Sequence, residues 1–147
     1  MKILYYLLPL LAGIAMSIQS GINGQLRSAL QHPILAAFMS FLGGIIALGV
    51  LLLFSKQAFP TLQQFSDLSF YKYTGGLLGA FVVTATILSI AKIGAADMFV
   101  LIIAGQLFTA VIMDHYGVLG VSQNPLTIQK LVGISLVVAG AYLVNKK

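Results

Sequence analysis

The sequence predicts an all-α membrane protein of five transmembrane helices, and three observations lead there. Only 7% of the residues are charged while 59% are hydrophobic, against about 25% charged in soluble domains. A soluble fold of this size leaves too much surface in water to hide that apolar share. Second, the chain contains five apolar runs close to the ~20 residues that a helix needs to cross a bilayer. Third, those runs exceed the ~9–11 residues of a barrel strand and do not alternate apolar with polar positions.

The first predicted span runs from about residue 3 to 26. It follows Met1-Lys2, but its apolar stretch outlasts a secretory h-region of ~7–15 residues, so an uncleaved helix is expected. The second spans about 34–54, and Pro33 in "RSALQHP" favours a helix start beside it. "SKQAFPTLQQFSDLSFYK" is the long connection. Its Phe59, Leu62, Phe65, Leu68 and Phe70 suit either a segment lying at the headgroups or an ordinary loop. The third span covers about 71–91. "KIGAAD" then turns the chain tightly at a glycine. The fourth spans about 97–113 and ends at "YGVLGVSQNP", two glycines followed by the turn pair Asn124-Pro125. The fifth covers about 128–144. Tyr5, Tyr6, Tyr71, Tyr73 and Tyr142 fall near span ends, as an aromatic belt requires. The whole of 1–147 reads as one transmembrane domain.

Five spans put the termini on opposite faces. Lys2, Lys56, Lys72 and Lys130 then share one side, and Arg27, Lys92, Lys146 and Lys147 the other. Orientation follows the Lys/Arg excess on the cytoplasmic side, and four against four gives no excess. Secondary transporters are commonly inverted repeats around a midplane site. An odd-numbered, unbiased unit fits one half of such a pair. The expected assembly is an antiparallel homodimer; a fixed orientation or pairing with a related five-helix subunit are the alternatives. The eight Lys and Arg are scattered singly, so the net charge of +5 carries no nucleic-acid footprint.

The segment "SIQSGINGQL" supplies the main candidate site. Gln19 and Asn23 stand four apart on one helix face, beside Ser20. Polar groups at membrane depth are costly unless satisfied. These amides therefore either line a pathway and bind substrate or bond neighbouring helices at ~1 kcal/mol each. Gln106, the strongly polar group inside the fourth span, and Ser40 in the second are further substrate-binding candidates with the same alternative. Asp114-His115 closes the fourth helix, where an acidic charge opposes the macrodipole. The pair is a candidate for proton binding or gating, against a plain solvated helix end. Gly75 and Gly79 form GxxxG, and Gly133 and Gly140 share a face of the fifth span; these four are expected to pack helices.

No HExxH, GxSxG or P-loop is present, and there is no cysteine and no glutamate. Neither an enzyme nor a metal or cofactor site is expected.

Taken in order, "SIQSGINGQL", "HPILAAFMSFLGG", "GGLLGAFVV", "GQLFTAVIMDHYG" and "LVGISLVVAGAYL" resemble the YdcZ-type family of the drug/metabolite transporter superfamily, assigned as bacterial inner-membrane exporters. The resemblance covers nearly the whole chain. It implies that the chain is one half of a ten-helix, inverted-repeat transporter in the inner membrane. Four-span small multidrug exporters of that superfamily use a glutamate in their first helix. This chain has none, which speaks against proton-coupled cation export. The expectation is a multi-pass secondary transporter exporting a small polar metabolite or drug-like molecule by alternating access. Its partners would be membrane lipids, the substrate and a second subunit. The alternative is a non-transporting assembly factor or subunit of a larger complex.

Overall fold

The structure, a computed structural model, describes residues 2–145, with side chains for 3–144. Lys146 and Lys147, and the Lys2 side chain, all counted in the charge tally, lie outside the described residues. Among the described residues the elements are α1 (Lys2–Leu30), α2 (Pro33–Phe54), the short α3 (Leu62–Ser66), α4 (Gly75–Ile93), α5 (Ala95–Tyr116) and α6 (Ile128–Asn145), with two 3-10 turns. Four helical stretches are long and apolar enough to cross a membrane: 3–30, 33–54, 70–93 and 95–116. The predicted fifth span is present as a shorter apolar helix, Ile128–Val144. Eighteen residues in α6 rise about 27 Å, just under the ~30 Å hydrocarbon core.

Helix α1 continues four residues beyond its expected end near Leu26. Arg27, Ser28 and Ala29 fit a helix without strain, and the Ser28 hydroxyl donates to the Gly24 carbonyl at 3.1 Å. The chain breaks only where proline forbids continuation. Gln31 takes a left-handed φ of 53° and its side-chain amide donates to the Ser28 carbonyl at 2.6 Å. His32 is extended and caps α2, its Nδ1 accepting from the Leu35 N–H at 3.1 Å. Pro33 occupies the first helical position, where its missing N–H costs nothing.

The long connection is partly ordered by local bonds. Thr61 and Gln64 form a reciprocal capping box at the start of α3. The Tyr73 hydroxyl donates to the Phe65 carbonyl at 2.9 Å and closes the segment on itself. Phe59, Leu62 and Phe70 remain largely exposed. A single glycine, Gly94 with φ 83°, separates α4 from α5.

The chain divides into two compact units, Met1–Lys92 and Ile93–Lys147. In the first, α1 packs against α2. Ala36, Ala37 and Ile87 form a fully covered cluster flanked by Leu26 and Val83, which brings α4 onto the pair. Phe41 of α2 lies over Gly79 of α4, where an added Cβ would sit 3.4 Å from its ring. Gly24 of α1 meets Ile90 of α4 in the same way, at 3.5 Å. In the second unit α5 packs on α6. Half-buried positions recur on α6 at Lys130, Ile134, Val137 and Ala141, the i, i+4, i+7 spacing of one helix face.

The remaining surface is apolar, from Ile3 through Leu48 and Phe81 to Leu143. Such area is untenable in water but matches lipid.

Candidate functional site

The polar face of α1 is built by helical spacing. Ser20 and Asn23 stand three apart and retain only 5% and 4% of their surface. Gly24 and Arg27 continue the same stripe and are half-buried. Gln19, one position before Ser20, is exposed. The covered polar pair is therefore Ser20 and Asn23 rather than Gln19 and Asn23. The difference is one of helix rotation: 100° per residue is enough to carry a neighbouring side chain off the covered face. Gly24 on the same covered stripe faces Ile90 of α4, whose methyl would stand 3.5 Å from an added Cβ, an ordinary van der Waals contact.

Among the described residues, neither the Asn23 amide nor the Ser20 hydroxyl has a hydrogen-bond partner, and neither is sealed wholly from solvent. Elsewhere on α1, Ser17 and Ser28 spend their hydroxyls on carbonyls one turn back. The two covered groups do not. An amide offers two donors and an acceptor, and a hydroxyl one donor and two lone pairs. Such groups at membrane depth keep a standing demand for partners. Ser40 is half-buried on α2. It stands as far after the α1–α2 turn as Asn23 stands before it, so the antiparallel pair holds both at one height. Thr86 of α4 is also buried, with its hydroxyl donated to the Val83 carbonyl at 2.8 Å.

In the second unit, Gln106 of α5 is exposed. Asp114 and His115 sit in a dense local network at the α5–α6 connection. Lys130 Nζ lies 3.6 Å from Asp114 Oδ2 and donates to the Asn124 carbonyl at 2.8 Å. The Asn124 N–H donates to the Asp114 carbonyl at 2.7 Å. The Leu126 N–H donates to His115 Nδ1 at 3.2 Å, and the Gln123 amide to the His115 carbonyl at 3.1 Å. Lys130 offsets the unfavourable acid at the helix end. Sequence reasoning left this pair as either a proton-binding or gating site or a solvated helix end, and missed Lys130, which is sixteen positions away in the chain. The turn signal "SQNP" was the visible hint that the connection folds back.

Of the four glycines expected to pack, Gly79 seats Phe41. Gly75, Gly133 and Gly140 have no atom within 4 Å of where a Cβ would stand. Gly24, not among those four, makes the close approach instead.

Residues 4–143 match the family described as "Putative inner membrane exporter, YdcZ". The chain is also similar to "Inner membrane protein YdcZ" of Escherichia coli (strain K12), 28% identical over 137 residues, covering 92% of this chain and 91% of that protein. No solved structure matches. Nearly end-to-end agreement, joined to four bilayer-length apolar helices, makes this a multi-pass inner-membrane protein: the chain belongs to the YdcZ family.

Proposed function

We propose that this protein is a secondary exporter of a small polar solute, working by alternating access as a dimer. The observation that carries the reading is the match over residues 4–143 to the family described as "Putative inner membrane exporter, YdcZ". On this reading α6 is a fifth crossing, slightly short for the bilayer and accommodated by local thinning. Each chain is half of a ten-helix transporter, and its partner is a second copy inserted the other way round. The even charge tally supports that pairing, because nothing in it favours one orientation. Asn23 binds substrate, with Ser40 and Gln19 on the same unit as further ligands, and Gln106 of the second unit is a candidate in its own right. Exposed carboxamides such as Gln19 and Gln106 on apolar helices call for a polar partner, which substrate or a second copy supplies on this reading. Asp114 and His115 serve as a gate at the α5–α6 end.

Purified protein in liposomes, assayed for saturable counterflow across a panel of metabolites, tests the transport reading. Saturable exchange supports it. Leak without saturation identifies a pore, and no flux together with a tightly co-purifying partner identifies a subunit or assembly protein. Reporters active on only one side of the membrane, fused to the C-terminus, test the antiparallel pair. Signal from both supports it, and one clean signal excludes the antiparallel homodimer.

A further inference from the structure

The polar face of α1 continues past Asn23 to a charge. Ser20, Asn23 and Arg27 stand at i, i+3 and i+7, one stripe along the helix. Ser20 and Asn23 are more than nine-tenths buried as residues and make no side-chain hydrogen bond among the described residues, while their polar atoms keep some access to solvent. Arg27 is half-buried and likewise has no ion pair or hydrogen bond among the described residues. Helical side chains lean toward the N-terminus, so a residue covers the turn before its own Cα. Arg27 follows Asn23 by one helical turn on that stripe. Arg27 lies about 5 Å of helix rise from the end of α1, and Asn23 about 10 Å, within the apolar span.

Among the described residues of its own unit, little neutralises Arg27. The chain's three acidic residues are Asp67, Asp97 and Asp114. Asp114 is taken by Lys130, and Asp67, the acid in the same unit as Arg27, caps the end of α3 with no ion pair to Arg27 among the described residues. A guanidinium fork is the group best matched to a planar oxyanion. The amide N–H groups of Asn23 and the hydroxyl of Ser20 add uncharged donors on the same stripe.

We infer that the Ser20–Asn23–Arg27 face of α1 binds the oxyanion group of a solute, making the substrate an organic acid or a zwitterion held by its acidic end. The inference rests on the transport reading for its word "substrate", but the binding face stands on α1 alone. A lipid phosphate is the competing source of the same chemistry, since Arg27 lies near the membrane boundary.

The test is binding to the full-length protein purified in a neutral detergent, followed by protection against thermal unfolding. The probes are benzoate and its neutral isostere benzamide, each against a sodium chloride control of equal ionic strength. The expected result is saturable stabilisation by benzoate and none by benzamide. Arg27→Gln should weaken benzoate binding about ten- to a hundred-fold, the loss expected for a charged hydrogen-bond partner. Arg27→Lys should recover part of it. Asn23→Asp, nearly isosteric, should abolish it through like-charge repulsion. Circular dichroism and a monodisperse elution profile show that each variant is folded. Equal binding of benzamide, no stabilisation by benzoate, or unchanged binding in folded Arg27→Gln each overturns the inference. Vesicles of phosphatidylcholine with and without phosphatidylglycerol supply the lipid arm. Stabilisation that depends on Arg27 but responds to phosphatidylglycerol alone assigns the face to lipid and also overturns it. Counterflow assays are read separately: benzoate binding without any flux retains the oxyanion face while removing the transport reading.

Discussion

Replacing Gly117 by alanine is the most informative single perturbation of the α5–α6 connection. Gly117 closes α5 with φ 62° and ψ 34°, and its N–H donates to the Met113 carbonyl. An L-residue there costs about 1–2 kcal/mol for the left-handed backbone alone. Its Cβ would also stand 3.2 Å from Gln123 Cβ and 3.5 Å from Gln123 Cα. Gln123 must therefore give way by a few tenths of an ångström. That movement strains the Gln123 amide bond to the His115 carbonyl and the adjacent Asn124-to-Asp114 bond, each worth about 0.5–1.5 kcal/mol. Gly120 is the internal control. Its φ is 81°, but nothing lies within 4 Å of its added Cβ, so Gly120→Ala carries the backbone cost without the contact. The expected losses are about 2–3 kcal/mol for Gly117→Ala and about 1–2 kcal/mol for Gly120→Ala. The assay is unfolding of the purified protein by stepwise addition of sodium dodecyl sulfate to a mild detergent, followed by circular dichroism. Equal midpoints for the two variants would refute the contact with Gln123. Two wild-type midpoints would refute the left-handed turn itself.

The other expectations follow from the same contacts. Leu119 already holds a left-handed φ of 57°, so Leu119→Gly should stabilise by about 0.5 kcal/mol, the relief of strain less the entropy glycine adds to the unfolded chain; a loss in the same titration contradicts that backbone. Ile87 is fully buried beside Ala36 and Ala37, and truncating it to alanine removes three carbons. The cavity of about 80 Å³ adds about 2 kcal/mol at ~24 cal/mol per Å³ to the lost transfer free energy, for a total within about 2–5 kcal/mol, read as an earlier unfolding midpoint. Gly24→Leu should overpack the α1–α4 contact at Ile90 by about 1–3 kcal/mol, whereas Gly75→Leu, in open space, should leave a purified monomer as stable as wild type. His115→Ala leaves the Leu126 N–H without its acceptor; amide exchange at Leu126 should accelerate about tenfold, the equivalent of one ordinary hydrogen bond, and unchanged protection would remove His115 from the connection.

Most of what the linear chain determines here is additive or local. Residence in a membrane follows from summed transfer preferences, which do not depend on which helix touches which. The break between α1 and α2 is written in Pro33 with His32 before it, and the ends at Gly94 and Gly117 in residues that accept positive φ. Helix ends remained off by up to four residues, because Arg27–Leu30 obey no local stop signal. The inner face of each helix was not legible. A segment largely apolar all round carries no stripe that distinguishes protein from lipid, so the sequence paired Gln19 with Asn23 by spacing and left Ser20 beside them. Packing of α1 against its neighbours covers Ser20 and Asn23 and leaves Gln19 exposed. The same held for Lys130 meeting Asp114: a contact across a folded connection depends on the path of the chain in space, and no spacing rule along the chain contains it.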